Sequence, residues 1–369
     1  MWLLVRWPQA AAATGLDATV HLGRIRSGRR SSLAALPLRL RAGTTVADVE
    51  RASGSLASVF GCARVVVEPD SERSDRCVVV FHRLRLPAFS PYRVDGLALD
   101  GLLPQSSTMP LPLGVDANED TVALPLFTDA GGTTLLIGGI PGTGKTAAVR
   151  ALLCGLAPTT ASVFIIDPTG GAEASRWSSR LSGVVADADP GRTCDLLGEL
   201  LALVVRRGEV LGAGGVTTMF PPVVLVCDEL AELAAAGTSK QQDDARSLLR
   251  RLVALGRKTN VSCILATQRT TSTSIDVTTR SLAGWRLALP HPDDATGSEA
   301  LLGPGRRQAA DLSRDDVGAG FLTNGGLPRL IRVFEATDQL VEAIRTTGSG
   351  LSLCELEHLD SVARRELTS

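Results

Sequence analysis

The hydrophobic pattern of the chain changes at about residue 121. Beyond that point, short apolar runs alternate with segments of helical periodicity. Strands are predicted at 133–139, 162–167, 221–229 and 261–268. Helices are predicted at 145–156, 192–211 and 243–258. Short apolar strands separated by helices are typical of a parallel sheet that is covered on both faces, so the pattern predicts an α/β fold.

The segment before that point has a different pattern. Short strands are predicted at 18–24, 36–42, 62–69 and 76–84. One helix is predicted at 45–60, with Thr44 or Thr45 as its N-cap. These elements predict a small α+β module. Residues 85–120 are rich in Pro, Gly and Ser and are predicted to form a linker.

The pattern therefore divides the chain into three parts. We predict a small α+β N-terminal domain at 1–104, a larger α/β domain with a mostly parallel central sheet at 105–345, and a short helical tail at 346–369. One or two helices are expected within 337–369, with a break at 348–350. A chain of 369 residues with 44% hydrophobic residues is long enough and apolar enough to bury a core in each larger part.

Composition narrows the classes of function and location. The formal net charge is −1, so a nucleic-acid contact must come from a local patch or a pore rather than from a basic excess. Seven cysteines without a C-x-x-C pair favour reduced thiols in a cytoplasmic protein over disulfides or zinc. No apolar stretch reaches 18 residues, so no intrinsic membrane segment is expected, while recruitment to a membrane by a partner stays open.

A glycine-rich segment follows the strand predicted at 133–139 and opens the next helix. It consists of Gly139, Ile140, Pro141, Gly142, Thr143, Gly144, Lys145 and Thr146, the G-x4-G-K-T pattern of a phosphate-binding P-loop. Backbone amides of such a loop surround phosphates, and the helix N-terminus adds partial positive charge. A glycine turn with a chance lysine is the alternative, which the strand and helix on either side disfavour.

The residue types in this loop predict ATP and Mg²⁺ as cofactors. Lys145 is expected to reach the β- and γ-phosphates, the Thr146 hydroxyl is expected to bind Mg²⁺, and Ala147 is expected to line the nucleotide site. The chain has 38 basic residues, of which only Lys145, Lys240 and Lys258 are lysine. A lysine kept here matches the need for a compact, flexible point charge.

Two acids follow the apolar strand predicted at 221–229. Asp228 is predicted to hold the Mg²⁺ shell, directly or through water, and Glu229 to act as general base on the attacking water. The alternative is that these acids only cap the next helix. Asp228 lies 83 residues beyond Lys145, with a βα unit between them, which favours the catalytic role.

A glutamine and two arginines complete the set of candidates. Gln268 ends the strand predicted at 261–268 and is expected to face the ligand crevice and contact the γ-phosphate; a simple turn role is the alternative. Arg257 is the first candidate to act in trans on a neighbour's ATP, and Arg286 is the second. Four further arginines suggest a phosphate-binding patch, for which a solvated loop is the favoured alternative: Arg24, Arg26, Arg29 and Arg30.

Taken in order, five short segments resemble the FtsK/SpoIIIE family of DNA translocases. They are Leu-Pro-Leu-Gly-Val-Asp at 111–116, Ile-Asp-Pro at 166–168, Cys-Asp-Glu-Leu-Ala-Glu-Leu at 227–233, Gly-Arg at 256–257 and Ala-Thr-Gln-Arg at 266–269. The first 104 residues are similar, more loosely, to the segment before the motor in actinobacterial plasmid-transfer proteins of the TraB type.

The resemblance implies a RecA-like ATPase that forms a hexameric ring around double-stranded DNA. It places five residues at the nucleotide, Lys145, Thr146, Asp228, Glu229 and Gln268, and it places Arg257 at the subunit interface. One departure is Thr169, where the family commonly has lysine after Asp-Pro. The expected function is ATP-driven translocation of duplex DNA in conjugative plasmid or mobile-element transfer. The alternatives are a type VII secretion-like motor that moves protein and a nucleotide-binding regulator without turnover.

Overall fold

The structure, a computed structural model, describes most of the chain. The described residues are 2–20, 33–62, 64–70, 73–82, 110–157, 159–233, 235–269, 277–291, 294–310, 312, 314, 316–345 and 350–368. Several predictions fall outside them in whole or in part: the arginine group at 24–30, parts of the strands predicted at 18–24, 62–69 and 76–84, most of the linker, and most of the break at 348–350.

The described residues form twelve α-helices and sixteen strands. The helices are α1 (Trp2–Thr14), α2 (Val46–Arg51), α3 (Ser53–Phe60), α4 (Lys145–Leu156), α5 (Ala172–Arg176), α6 (Pro190–Gly212), α7 (Leu230–Leu233), α8 (Ser239–Gly256), α9 (Val277–Leu282), α10 (Ala295–Leu302), α11 (Asp338–Arg345) and α12 (Leu353–Thr368). The strands are β1 (Ala18–Val20), β2 (Leu33–Leu40), β3 (Arg64–Pro69), β4 (Arg76–His82), β5 (Leu111–Asp116), β6 (Thr121–Leu124), β7 (Phe127–Thr128), β8 (Gly131–Gly132), β9 (Thr134–Gly138), β10 (Ser162–Ile166), β11 (Gly183–Val185), β12 (Val223–Cys227), β13 (Val261–Thr267), β14 (Trp285–Ala288), β15 (Ala319–Thr323) and β16 (Arg329–Val333).

A ten-stranded sheet forms the centre of the larger part. Its order is β11-β10-β12-β13-β9-β14-β15-β16-β5-β6. The strands from β11 to β14 are parallel to one another, and those from β15 onward pair antiparallel. This arrangement confirms the predicted α/β class with a mostly parallel central sheet. The antiparallel extension was not predicted.

Alternation along the P-loop strand β9 explains why both faces of the sheet are covered. Leu135 and Ile137 belong to one apolar cluster, which includes α4, whereas Leu136 belongs to the other, which includes α6 and α8. Successive side chains of a strand point to opposite faces, so an all-apolar strand requires cover on both sides. No helix in the described part of the chain is both long and apolar enough to cross a bilayer.

The predicted linker is wrong from residue 111 onward. β5 lies inside the sheet between β16 and β6, not in a loop. Its Pro112 adjoins a shift in register, and a side chain on Gly114 would lie 2.2 Å from the Arg332 carbonyl oxygen. Proline at a bulge and glycine at a close backbone approach are compatible with a strand. The Pro and Gly residues that suggested a linker therefore serve the packing of β5 within the sheet.

Capping residues explain where three helices begin, which hydrophobic periodicity alone does not determine. Thr45 caps α2, as predicted, with Asp48 completing a capping box. α6 starts before the predicted position because Asp189 caps it and Pro190 occupies its first turn. α8 also starts early, capped by Thr238. Two helices, α11 and α12, lie within 337–369, as expected.

The N-terminal part contains a four-stranded antiparallel sheet in the order β1-β2-β4-β3. The single helix predicted at 45–60 is instead two short helices, α2 and α3, that meet at Ala52. α1, which contains Pro8, was not predicted. Its Trp7 is buried and donates a hydrogen bond to the Ala18 carbonyl oxygen at 3.0 Å, which attaches the helix to β1.

The edge strand β3 of this small sheet lies against the larger part of the chain. Val66 joins the apolar cluster around α6 and α8. A side chain on Gly305 would lie 2.7 Å from the Pro69 ring. Between these contacts lies Glu68, whose Oε2 is buried without a hydrogen-bond partner among the described atoms. Burial raises the pKa of Glu68 to about 7, and the nearby Arg306 charge only partly opposes that rise.

We expect Glu68→Gln to stabilise the protein at pH 8 but not at pH 5. The folded-state pKa lies above the ordinary value of 4.5, so the folded chain binds the proton more tightly than the unfolded chain. The stabilisation that protonated Glu68 provides is therefore complete below about pH 4.5 and lost as pH rises toward about 7. Removing the buried charge is worth about 1 to 3 kcal/mol at pH 8.

Urea denaturation at the two pH values measures this difference. Glu199→Gln, an exposed change on α6, is the matched control and should leave the unfolding free energy unchanged at both pH values. An equal effect of Glu68→Gln at pH 5 and pH 8 would show that its carboxyl group does not titrate differently on folding.

Candidate nucleotide site

The glycine-rich loop lies at the carboxyl end of β9, where neighbouring strands also end. The Gly139 amide donates to the Thr267 carbonyl oxygen at 3.3 Å, and the Ile140 amide donates to the Pro290 carbonyl oxygen at 3.3 Å. These bonds join the start of the loop to the ends of the strands on either side. The carboxyl ends of parallel strands are where open α/β sheets bind ligands.

The end of the loop requires glycine. Gly144 has φ of 107°, and a side chain there would lie 2.8 Å from the Gly318 amide nitrogen. Gly142 has φ of 80°. Thr143 is buried, and its hydroxyl donates to the Ile140 carbonyl oxygen at 2.7 Å. The loop leads directly into α4, whose first-turn amides have no partner within the helix and can therefore bind an anion.

Lys145 lies between the loop and the acids. Its Nζ donates to the carbonyl oxygens of Gly139 at 2.7 Å and Ile140 at 3.0 Å. Burial lowers the pKa of Lys145, and the charges of Glu229 and Asp228 oppose that shift. The two acids are therefore close enough to act on the ammonium group. The loop, the lysine and both acids lie at one edge of the sheet.

Asp228, the first residue after β12, is affected by the charges of other carboxylates. Burial raises the pKa of Asp228 to about 6, with further contributions from Asp167, Glu173 and Glu229, while Lys145 lowers it. Asp167 follows β10, the neighbouring parallel strand. A half-buried carboxylate in such surroundings gains from a nearby cation, because the cation offsets the repulsion between the acids.

Three donors fix the Glu229 carboxylate, which is 4% exposed. It accepts hydrogen bonds from the Thr267 hydroxyl at 2.9 Å and from the Gln268 amide at 3.0 Å, both at the end of β13. It also accepts from the Ala231 amide at 3.1 Å, as a cap of the short helix α7. The capping alternative is thus present, but most of the bonds tie Glu229 to the next strand.

Thr267 is a residue that sequence reasoning missed. It stands directly before Gln268 in the Ala-Thr-Gln-Arg segment, yet only Gln268 was assigned a role. The Gln268 side chain is exposed, and its backbone amide rather than its side chain holds Glu229. The sequence did contain a signal for this role: Thr267 carries a hydroxyl group at the end of β13, the strand that pairs with β12.

A second group missed by the sequence is an ion pair between α4 and α5. Arg150 donates to both Glu173 carboxylate oxygens at 2.7 Å, and the Trp177 ring N–H donates to the same carboxylate at 3.0 Å. This pair orients Glu173, which in turn acts on Asp228. Nothing in the local sequence marks it, because the partners lie 23 residues apart.

The residues at the start of α4 and the end of β12 fit a magnesium ion. Thr146 is exposed in the first turn, and Ala147 behind it is half-buried. Within the described ranges, no three His, Cys, Asp or Glu side chains form a protein-only metal cage. Mg²⁺ usually keeps several waters and binds one or two carboxylates together with substrate phosphates, so a threonine hydroxyl and Asp228 suit it.

The two candidate arginines lie away from this site. Arg257 is exposed in a 3₁₀ turn before β13. This turn lies at the amino-terminal ends of the parallel strands, whereas the P-loop lies at their carboxyl ends. A seven-residue strand separates the two ends by about 20 Å. Arg286 lies half-buried in the middle of β14 and donates to the Leu301 carbonyl oxygen at 3.3 Å. Neither lies at the P-loop of its own chain, and only Arg257 is exposed.

The family comparison matches residues 104–220 to the FtsK/SpoIIIE family. The fold and the P-loop define the chain as a P-loop ATPase. More particularly, it contains an FtsK/SpoIIIE family domain, which confirms the resemblance seen in the motifs.

Two curated relatives are similar in sequence. The type VII secretion system protein EssC of Staphylococcus aureus is 27% identical over 227 residues, which cover 56% of this chain. This chain spans only 15% of the length of EssC. A sporulation regulatory protein of Streptomyces azureus is 30% identical over 122 residues, which cover 31% of this chain and 40% of that protein.

Two solved structures share the fold. The pCW3 conjugation coupling protein TcpA, in a monomer form with ATPγS, has a TM-score of 0.64 at 15% identity and covers 93% of this chain and 99% of that chain. The cytoplasmic domain of the type VII secretion ATPase EccC of Thermomonospora curvata has a TM-score of 0.56 at 22% identity and covers 70% of this chain and 33% of that chain.

Proposed function

We propose that this chain is an ATP-hydrolysing motor that moves double-stranded DNA during conjugative plasmid or mobile-element transfer. The observation that carries the proposal is the extent of the structural match to TcpA, a conjugation coupling protein. That match spans 93% of this chain and 99% of that chain, so it includes the small N-terminal part as well as the ATPase fold. At 15% identity it supports a shared architecture, and the motifs add the chemistry.

In this proposal the chain's own groups hold and activate the nucleotide. Loop amides and Lys145 would bind the phosphates, and Thr146 and Asp228 would hold Mg²⁺, which would neutralise phosphate charge. Glu229 accepts the proton of the attacking water, with Thr267 and the Gln268 amide fixing its direction. The Gln268 side chain, exposed beside Glu229, contacts the γ-phosphate.

Arg257 requires a second copy of the chain in order to act. It lies at the sheet edge opposite its own P-loop, so it can reach a nucleotide only on a neighbour. A ring in which each Arg257 contacts the next subunit's ATP meets this requirement. We therefore propose a homo-oligomer, with a hexamer as the family resemblance implies.

A second candidate function is the movement of protein. The sequence match to EssC at 27% identity and the structural match to EccC favour it, since both are type VII secretion proteins. The chain covers only 15% of EssC and 33% of the EccC chain, so the match is to one part of larger proteins.

The ATPase rate with and without duplex DNA distinguishes these functions. A DNA translocase should show a several-fold rise in turnover with long duplex, and the rise should weaken steeply with salt because phosphate contacts release counterions. Lys145→Ala serves as the control for contaminating ATPase. An ATPase rate that is the same with and without DNA would favour movement of protein. ATP binding without hydrolysis under either condition would favour a regulator.

A further inference from the structure

A fully buried arginine joins three distant segments near the amino-terminal ends of the strands, whereas the P-loop lies at their carboxyl ends. Arg207 of α6 is 0% exposed, and its guanidinium lies 5.1 Å from the centre of the Phe220 ring. Its Nε donates to Asp360 at 2.7 Å, and its Nη1 donates to the carbonyl oxygens of Pro221 at 3.0 Å and Thr259 at 2.9 Å. A buried cation persists only where such partners compensate its charge.

The two carbonyl groups belong to segments that lead to the catalytic candidates. Pro221 precedes β12, the strand that ends at Asp228 and Glu229. Thr259 closes the 3₁₀ turn that begins at Arg257. Arg207 therefore fixes the turn that carries Arg257 relative to the start of β12.

Other contacts, in addition to the hydrogen bond from Arg207, also restrict the position of that turn. The Thr217 hydroxyl donates to the Lys258 carbonyl oxygen at 2.9 Å. The Asn260 side-chain NH₂ group donates to the Phe220 carbonyl oxygen at 2.7 Å, and the Asn260 backbone is in the left-handed region at φ of 57°. A side chain on Gly131 would lie 1.7 Å from the Arg257 carbonyl oxygen. The backbone is thus braced on several sides while the Arg257 side chain stays exposed.

Asp360 on α12 completes this arrangement. It is 4% exposed and is the carboxylate that pairs with the buried guanidinium. Ion pairs on the surface flank it, Arg206 with Glu357 and Arg364 with Glu209, and all of them join α12 to α6. Exposed pairs contribute little, whereas loss of one member of a buried pair leaves an uncompensated charge. Without Asp360, the buried Arg207 guanidinium would lose its counter-charge and the partner of its Nε group.

We propose that Asp360 is a positioning residue for ATP hydrolysis in the neighbouring subunit, because through Arg207 it fixes the turn that presents Arg257 to that neighbour's nucleotide. This inference rests on the proposed role of Arg257 in trans. It assigns the helix at 353–368 a part in catalysis on the adjacent copy.

Asp360→Asn should lower ATP turnover by about 10- to 100-fold, since a displacement of about 1 Å in a catalytic group has effects of that order. ATP binding, measured by equilibrium dialysis, should stay unchanged, because the variant's own P-loop is untouched. Glu357→Gln is the matched control on the same helix and should keep normal turnover.

Mixed assemblies supply the decisive measurement. Asp360→Asn subunits diluted into excess Lys145→Ala subunits receive an intact Arg257 from their neighbours, so turnover per active site should recover. Wild-type subunits diluted into excess Lys145→Ala/Asp360→Asn subunits should lose turnover. No recovery in the first mixture would overturn the proposal, because it would mean that Asp360 acts on its own nucleotide site.

Two further variants keep the test interpretable. Arg207→Met/Asp360→Leu replaces the buried pair with apolar side chains, which proteins often tolerate, and it should show the same defect in trans if Asp360→Asn does not fold. Arg257→Ala in the same mixtures tests the function on which the proposal rests. Normal hydrolysis by Arg257→Ala would reject its role in trans, whereas a defect in Arg257→Ala without one in Asp360→Asn would reject the positioning role alone.

Discussion

Lys145→Ala is expected to weaken ATP binding and to lower ATP turnover by at least about 100-fold, the scale seen when one strong charge-stabilising donor is removed. The ammonium group of Lys145 is held at the glycine-rich loop, 7% exposed, with both acids acting on it. Alanine would remove the positive charge that interacts with those acids, and it would leave the phosphates without that counter-charge. Titration with labelled ATP and a turnover assay measure the two effects separately.

The chain offers close controls for this prediction because it has so few lysines. Lys240→Ala removes an exposed lysine at the start of α8 and should leave binding and turnover unchanged. Lys145→Arg keeps the charge but introduces a wide planar group into a buried position, so it should also fail. Normal turnover by Lys145→Ala would mean that the glycine-rich loop does not bind the phosphates.

Four of the six parallel strands were predictable, because each is a short apolar run in the sequence, whereas β11 and β14 were not predicted. β9, β10, β12 and β13 were all located from their sequence. The antiparallel half depends on pairings between distant segments, such as Ile331 with Asp116. No local pattern specifies that pairing, and the Pro and Gly residues of β5 pointed toward a loop. Contacts of high sequence separation are decided by tertiary packing rather than by propensity.

The same division holds for the candidate site. The P-loop could be located because its geometry is encoded in consecutive residues, with Gly144 at a position where a side chain would collide with Gly318. The contact between Thr267 and Glu229 spans 38 residues, and that between Arg207 and Asp360 spans 153. Each partner looks ordinary in isolation. Only the folded chain brings the hydroxyl to the carboxylate and the buried arginine to the turn that carries Arg257.

Glu229→Gln is expected to bind ATP normally and to hydrolyse it about 10²- to 10⁴-fold more slowly, the range that general-base catalysis contributes. The amide oxygen of glutamine still accepts from the Thr267 hydroxyl and the Ala231 amide. Its NH₂ group then meets the Gln268 amide, which costs one hydrogen bond, about 1 kcal/mol. The variant should therefore fold and retain bound ATP, which single-turnover hydrolysis and a binding assay report.

Thr267→Val separates catalysis from capping of α7. Valine has nearly the same shape as threonine but cannot donate to Glu229, so the carboxylate keeps its charge and its cap on the Ala231 amide while losing one of the groups that direct it. We expect turnover to fall by about tenfold with little change in ATP binding, because a misdirected base remains present. If Glu229→Gln lowers the melting temperature but neither variant slows hydrolysis, Glu229 is only a helix cap, and another group must activate the water.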